Sequence, residues 1–351
     1  MAVGDAPGNV ALGEVNKDGK PDLVMVSGSG LTVLLGQGDG RFHAAPRGPI
    51  KLPDRSTEML LRDLNGDGNL DLALANHDSY NVMLLFGDGK GGFSLAPQSP
   101  VIMKEGQHPH THGLDAGDLN GDGKLDIVSV NSDDNDVSVA FADGKGGFTR
   151  AASPFPVGPS PYPSALADLN GDGHLDVIAT SSTRRTPQPG TPAGALTVLF
   201  GNGRGDLRGG PVPLRTMSPG FVAVADVNGD RKPDLVATHL ERRELTILTG
   251  DGKGSFKETT GSPFDLGHPA WHCAIADVNG DGKADVAAAA GDGVRVMLGD
   301  GRGGFQPAPG SPFATGRGSW QLAVGDVNGD GKPDVVTSDL EADSVTILLA
   351  Q

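Results

Sequence analysis

The chain has 351 residues, 37% hydrophobic and only 5% aromatic, with 55 Gly, 26 Pro and a formal charge of −16. So much glycine and proline, recurring at fixed offsets between short apolar runs, excludes a helical protein and indicates tight turns between short strands. A single cysteine, Cys273, excludes an intrachain disulfide; no apolar run approaches the roughly 18 residues of a membrane span, and the negative charge argues against nucleic acid or an anionic membrane as partner.

Along the chain, a string close to Asp-x-Asn-x-Asp-Gly-x-x-Asp returns seven times at spacings of 49 to 58 residues. A period of that size marks a repeat architecture and overrides the length prior for two domains. The first copy, 14–22, has Glu14, Asn16, Asp18 and Asp22, and the second, 63–71, has Asp63, Asn65, Asp67 and Asp71. His77 follows the second. The segment Gln107–His112, with His108, His110 and His112, leads into the third copy, 118–126 (Asp118, Asn120, Asp122, Asp126). Tyr162 precedes the fourth, 168–176 (Asp168, Asn170, Asp172, Asp176), after which Arg184 and Arg185 open a Pro-rich insertion over 183–194. The fifth, 226–234 (Asp226, Asn228, Asp230, Asp234), has Arg231 in place of the glycine and is followed by His239. His268, Trp271 and His272 enter the sixth, 277–285 (Asp277, Asn279, Asp281, Asp285), and Trp320 precedes the seventh, 326–334 (Asp326, Asn328, Asp330, Asp334). A second string, close to Gly-Asp-Gly-Lys-Gly-Gly-Phe, follows each of the first six copies, ending at Phe42, Phe93, Phe148, Phe256 and Phe305 and, in degenerate form, at Leu207.

Each unit reads as four strands. In the sixth, 272–278 alternate, 285–290 form a second strand, Gly291–Gly293 turn, 294–298 form a third, and Phe305 opens a Pro-rich fourth suited to an outer edge. The expectation is an all-β fold: one domain over 1–351, a seven-bladed β-propeller with four-stranded antiparallel blades. The last unit stops after its third strand, and Met1–Gly4 align with Phe313–Gly316, so an N-terminal strand is expected to join the last blade and close the ring.

The acidic string suits Ca²⁺, which takes six to eight oxygens. Positions 1, 3, 5 and 9 offer side-chain oxygens, position 7 a backbone carbonyl, and glycine at position 6 permits the sharp turn. It matches the first half of an EF-hand loop but lacks the Glu at position 12 and flanking helices, so a β-hairpin host is expected. Three carboxylates crowd each loop, and seven divalent ions would offset most of the formal −16. Arg231, in a turn that favours glycine and beside the cation, marks the weakest site. The competing reading is a set of metal-free Asn/Asp turns.

At these residues the chain resembles the FG-GAP/VCBS repeat family, which includes the propeller of integrin α-subunits; the run at 118–126 is the nearest match. Blurred Phe-Gly and Gly-Ala-Pro elements make it more similar to the bacterial VCBS branch. The resemblance implies calcium, an extracellular or periplasmic setting, and adhesion or ligand binding in many members.

The loops on the face away from the acidic strings gather seven of nine histidines: His77, His108, His110, His112, His239, His268 and His272. The position six residues before each acidic string holds Gly8, Thr57, His112, Tyr162, Gly220, Trp271 and Trp320, so both tryptophans fall in one slot beside the channel. Three readings compete: a site for one Cu, Zn, Fe or Ni ion held by those histidines; a pocket for a glycan, peptide or protein surface, using Trp271, Trp320, Tyr162, His112 and His272; and histidines that merely cap loops. The insertion reads as a lid or a bulge, and the acidic turns Asp133, Asp134, Asp136 and Asp339, Glu341, Asp343 as solvated. No nucleophile elbow, phosphate loop or zinc-cysteine cluster occurs. The working expectation is a monomeric, calcium-stabilised binding propeller with no assigned catalytic residue; the alternative is a metal-dependent enzyme using the His cluster.

Overall fold

The computed structural model describes residues 1, 3, 5–28, 30–52, 56–152, 154–181, 195–213 and 219–350. Each repeat folds into antiparallel strands laid side by side in chain order, a β-propeller arrangement. Five sheets stand apart. The first is β1 (Asn9–Gly13), β2 (Asp22–Ser27), β3 (Gly30–Gly36) and β4 (Phe42–Ala44); the second is β5 (Ser56–Arg62), β6 (Asp71–Asn76), β7 (Asn81–Gly87), β8 (Phe93–Leu95) and β9 (Val101–Ile102). The third comprises β10 (Thr111–Gly117), β11 (Asp126–Asn131), β12 (Asp136–Ala142), β13 (Phe148–Arg150) and β14 (Phe155–Pro156). The fourth is β15 (Pro161–Ala167), β16 (Asp176–Ser181), β17 (Ala195–Gly201) and β18 (Leu207–Pro213), and the fifth β19 (Pro219–Ala225), β20 (Asp234–His239), β21 (Glu244–Gly250), β22 (Phe256–Glu258) and β23 (Phe264–Asp265).

The remaining strands form one seven-stranded sheet: β24 (His272–Ala276), β25 (Asp285–Ala289), β26 (Gly291–Gly299), β27 (Phe305–Pro307), β28 (Phe313–Gly325), β29 (Asp334–Asp339) and β30 (Ser344–Leu348). This corrects the expectation of a seven-bladed propeller: five blades stand apart and one larger sheet accompanies them. The fusion occurs because β28 runs 13 residues without a break. Its start pairs with β26 (Val294↔Phe313) and its end with β29 (Gly325↔Asp334). In the second, third and fifth sheets the corresponding edge piece, β9, β14 or β23, is two residues long and ends before the next unit begins. Of the N-terminal segment expected to close the ring, Ala2 and Gly4 lie outside the described residues; Met1 and Val3 meet the last repeat through backbone hydrogen bonds with Val345 (2.9 Å) and Asp343 (3.2 Å).

Two smaller expectations also change. The outer strand is split: β8 and β9 both pair with β7, because the chain leaves the sheet between them. The turn expected at Gly291–Gly293 lies within the opening of β26.

The core fills the spaces between neighbouring sheets. Val24 and Leu31 of the first sheet pack with Leu72 and Met83 of the second; Leu23 and Met25 pack with Val336 of the last. Each such side chain contributes about 1.5–3 kcal/mol on burial, and aliphatic residues suffice because the sheets pack face to face. The first strands of successive repeats touch in order, β1 on β5, then β10, β15, β19, β24 and β28, which returns to β1. Close packing also fixes glycines: a Cβ on Gly87 would sit 2.1 Å from the Leu70 carbonyl oxygen, so only glycine lets β7 approach the loop between β5 and β6. No helix among the described residues is long and apolar enough to cross a membrane.

Candidate functional site

The acidic strings connect the first and second strands of every repeat. In the third, Oδ1 of Asp118 accepts from the backbone N–H of Gly121 (2.7 Å) and Asp122 (3.1 Å), and Oδ2 from Gly123 (2.8 Å). Asn120 and Asp122 each accept from the N–H two residues on. The last aspartate behaves differently. Asp126 is fully buried, with Oδ2 accepting from Leu119 N–H (3.0 Å) and Oδ1 from Ala142 N–H at the end of β12 (2.9 Å). Asp22, Asp71, Asp176, Asp234, Asp285 and Asp334 make the same pair of bonds, so this residue staples the first strand's exit to the third strand. Burial pushes the Asp71 carboxyl up to about 6 against the pull of its two N–H partners, and repulsion from Asp67 and Asp63 adds to the rise. Arg231 has a φ of 63°, as a non-glycine at that position must. Lys17 sits at 61° two positions earlier in the first copy, where the others have glycine.

At the opposite ends of the first strands lies a cavity of about 870 Å³. All seven residues of the slot identified in the sequence line it: Gly8, Thr57, His112, Tyr162, Gly220, Trp271 and Trp320. The reason is local. The pairing of β5, β10, β15, β19 and β28 with their partners shifts register across Thr57, His112, Tyr162, Gly220 and Trp320 respectively. A β-bulge re-aims the residue it contains, so the same irregularity delivers the slot to the cavity in five repeats. Two aromatic pairs result. Trp271 and Trp320 have ring centroids 4.0 Å apart, and His112 and Tyr162 4.4 Å.

Polar groups complete the lining. Gln321 Nε2 donates to Glu58 Oε1 (3.0 Å) and its Oε1 accepts from Val10 N–H (2.8 Å), while Asn9 Nδ2 donates to the Thr57 carbonyl (3.3 Å). Burial pushes the Glu58 carboxyl up to about 7, although the bonds from Gln321 and Met59 N–H oppose the rise. On β10, burial raises Asp115 to about 6, partly offset by its backbone bonds and by Arg62.

Four of the seven selected histidines reach the cavity: His77, His110, His112 and His272. His77, His110 and His112 form a cluster. His112 Nε2 lies 2.6 Å from His110 Nε2, and the His77 ring is 4.5 Å from that of His110 and 5.3 Å from that of His112. His110 Nδ1 bonds Asp133 Oδ1 (2.9 Å), and His77 Nδ1 bonds Asp78 Oδ1 (2.6 Å). The two segments are joined by Thr111, whose N–H donates to the His77 carbonyl (3.2 Å) and whose hydroxyl donates to that of Ser79 (2.9 Å). His272 packs its ring on Phe221 at 4.1 Å, and its Nδ1 is buried with no hydrogen-bond partner. Burial holds it neutral, pushing its pKa down to about 3.

The other three histidines lie elsewhere. His239, the last residue of β20, is buried with Nε2 on Thr246 Oγ1 of β21 (2.8 Å); His268 bonds the Pro269 carbonyl (2.9 Å); His108 is exposed. The acidic turns are not merely solvated. Lys104 bridges Asp134 (2.8 Å) and Asp136 (2.6 Å), Asp133 holds His110, and Asp339 is fully buried, accepting from Thr337, Ser344 and Thr346. The insertion at 183–194, with Arg184 and Arg185, lies outside the described residues.

A family model described as FG-GAP-like repeat matches residues 15–74, 63–129, 118–179, 226–288 and 277–337. The chain belongs to the FG-GAP-like repeat family. The first three FG-GAP-like matches overlap where one unit hands over to the next, as do the last two, and the unmatched stretch between 179 and 226 contains the insertion and the degenerate Gly-rich turn. None of the curated proteins matches the chain. Among solved structures it is similar to an Agrocybe aegerita lectin that recognises non-reducing terminal N-acetylglucosamine (19% identity, 97% of this chain and 86% of that one, TM-score 0.59). It is also similar to BBS1N in complex with ARL6DN (12% identity, 100% and 94%, TM-score 0.65) and to a catalytically inactive virginiamycin B lyase from Staphylococcus aureus with quinupristin (14% identity, 99% and 98%, TM-score 0.59). At these identities the likeness is one of fold.

Proposed function

We propose that this FG-GAP-like propeller binds a carbohydrate in the cavity at the ends of the inner strands away from the acidic strings. The observation that supports this is the placement of Trp271, Trp320 and Tyr162 on one cavity lining together with Glu58, Gln321 and Asn9. Sugars present apolar C–H faces that stack on aromatic rings and hydroxyls that need directed polar partners, and a cavity of about 870 Å³ accommodates one or a few residues of a chain. The lectin of similar fold makes N-acetylglucosamine the first probe.

The acidic strings fit calcium. Their donors are all oxygen, and a cation would relieve the repulsion that helps raise the buried carboxyl of Asp71. Residues 1, 3, 5 and 9 of each string would hold the ion, which would brace the turn between first and second strands. Export to a calcium-rich compartment belongs to the same reading.

The test is a glycan array followed by calorimetry with the strongest hit, in calcium. W271A and W320A should each weaken binding by about tenfold or more. No glycan binding, or binding that both variants leave intact, would overturn the carbohydrate reading.

A further inference from the structure

We propose that His77, His110 and His112 together bind one divalent transition metal ion of the Zn²⁺ type on the cavity wall, with a coordination position left open to the cavity. Among the described residues they are the one group of three or more His, Cys, Asp or Glu side chains whose donor atoms all lie within 4.8 Å of one another.

The hydrogen bonding selects which nitrogens ligate. A carboxylate on Nδ1 makes that nitrogen the N–H donor, so the neutral ring presents its lone pair at Nε2. Asp133 does this to His110 and Asp78 to His77. The Nε2 lone pair of His110 therefore points at Nε2 of His112, 2.6 Å away. Two ring nitrogens 2.6 Å apart sit at hydrogen-bond distance; a cation bound by both lone pairs would hold them about 3.3 Å apart at tetrahedral angles, a small opening of the pair, and the third imidazole beside them supplies a further ligand.

The donor chemistry narrows the ion. Three neutral imidazoles without a thiolate suit a borderline cation and do not suit Ca²⁺. Three protein ligands leave a four-coordinate Zn²⁺ one position for water or a ligand oxygen. Carboxylates on the far nitrogens are the usual outer support of such rings. The cluster is also reachable, the side chains of His77 and His110 being 21% and 22% exposed. The inference does not depend on carbohydrate binding, since it rests on different residues of the lining.

The experiment uses the full chain, stripped with a chelator, returned to excess calcium, and titrated separately with Zn²⁺ and Co²⁺. One tight equivalent is expected, with Co²⁺ giving the visible bands of a low-symmetry nitrogen site. H110A and H112A should lower affinity by about 100-fold or more, and D133N by roughly 10- to 100-fold with stoichiometry unchanged. Thermal unfolding of each variant in calcium separates loss of the site from loss of the fold, and D133N keeps every ligand in place should a histidine variant misfold. Absence of a tight equivalent, or Zn²⁺ binding that H77A/H110A/H112A retains, overturns the proposal. Zn²⁺ titration of W271A, which should be unchanged, keeps this result distinct from that of the glycan test.

Discussion

Gln321 and Glu58 share a 3.0 Å hydrogen bond across 263 positions of sequence. With its second amide atom on Val10, Gln321 links β28, β1 and β5 at the cavity wall. The bond therefore ties late and early repeats together beside a carboxyl that is poorly solvated.

That carboxyl should make stability depend on pH. Its folded-state pKa, about 7, lies above its ordinary 4.5, so its contribution is full below about pH 4.5 and is lost as pH rises through about 7. E58Q keeps the acceptor for Gln321 and removes the titration. Urea unfolding between those limits should show wild type losing roughly 2–3 kcal/mol more than E58Q; parallel curves would exclude a raised Glu58.

His272 should act in the opposite sense. Its pKa is lowered from 6.5 to about 3, so its contribution is full above about pH 6.5 and falls as acid protonates the unfolded chain. The slope approaches about 1.4 kcal/mol per pH unit. H272F, which keeps an aromatic ring against Phe221, should flatten the acid limb of the same measurement.

Arg231 holds a left-handed φ of 63° where Gly123 of the third string has 80°. Left-handed backbone costs a side-chain-bearing residue about 1–2 kcal/mol, partly repaid by the lower entropy of its unfolded state. R231G should raise stability by about 1 kcal/mol in chemical denaturation. A loss would mean that the guanidinium makes a compensating contact.

The two kinds of aspartate in each string should separate. D126A leaves the N–H groups of Leu119 and Ala142 without their buried partner and should cost roughly 2–4 kcal/mol with or without calcium. Asp122, at the exposed end of the loop, should matter chiefly with calcium present, so the denaturation curve of D122A in chelator should nearly overlay that of wild type.

Calcium itself should raise the melting temperature in a concentration-dependent way, by mass action on the folded state. Calorimetric scans with calcium and with excess chelator test this, and coincident transitions would leave the acidic strings as metal-free turns.

The sequence by itself determined what recurs locally. Seven copies of one string place the turns between first and second strands, the Gly-rich strings place the edges, and counting back from Asp118 or Asp277 finds His112 and Trp271 in a common slot. Each of these follows from backbone chemistry within about ten residues, where glycine, proline and short acidic side chains leave few alternatives. The tertiary structure decided what depends on neighbours. Whether the segment before a first strand breaks, as after β9, or runs on, as β28 does, is settled by pairing with another strand. The bulge that turns Trp320 inward exists only relative to β29. His77 meets His110 and His112 because adjacent repeats pack side by side, whereas His239, equally conspicuous in the sequence, is taken into its own sheet by Thr246. A repeat specifies its own turns, but distances between side chains of different repeats are set by how the sheets pack.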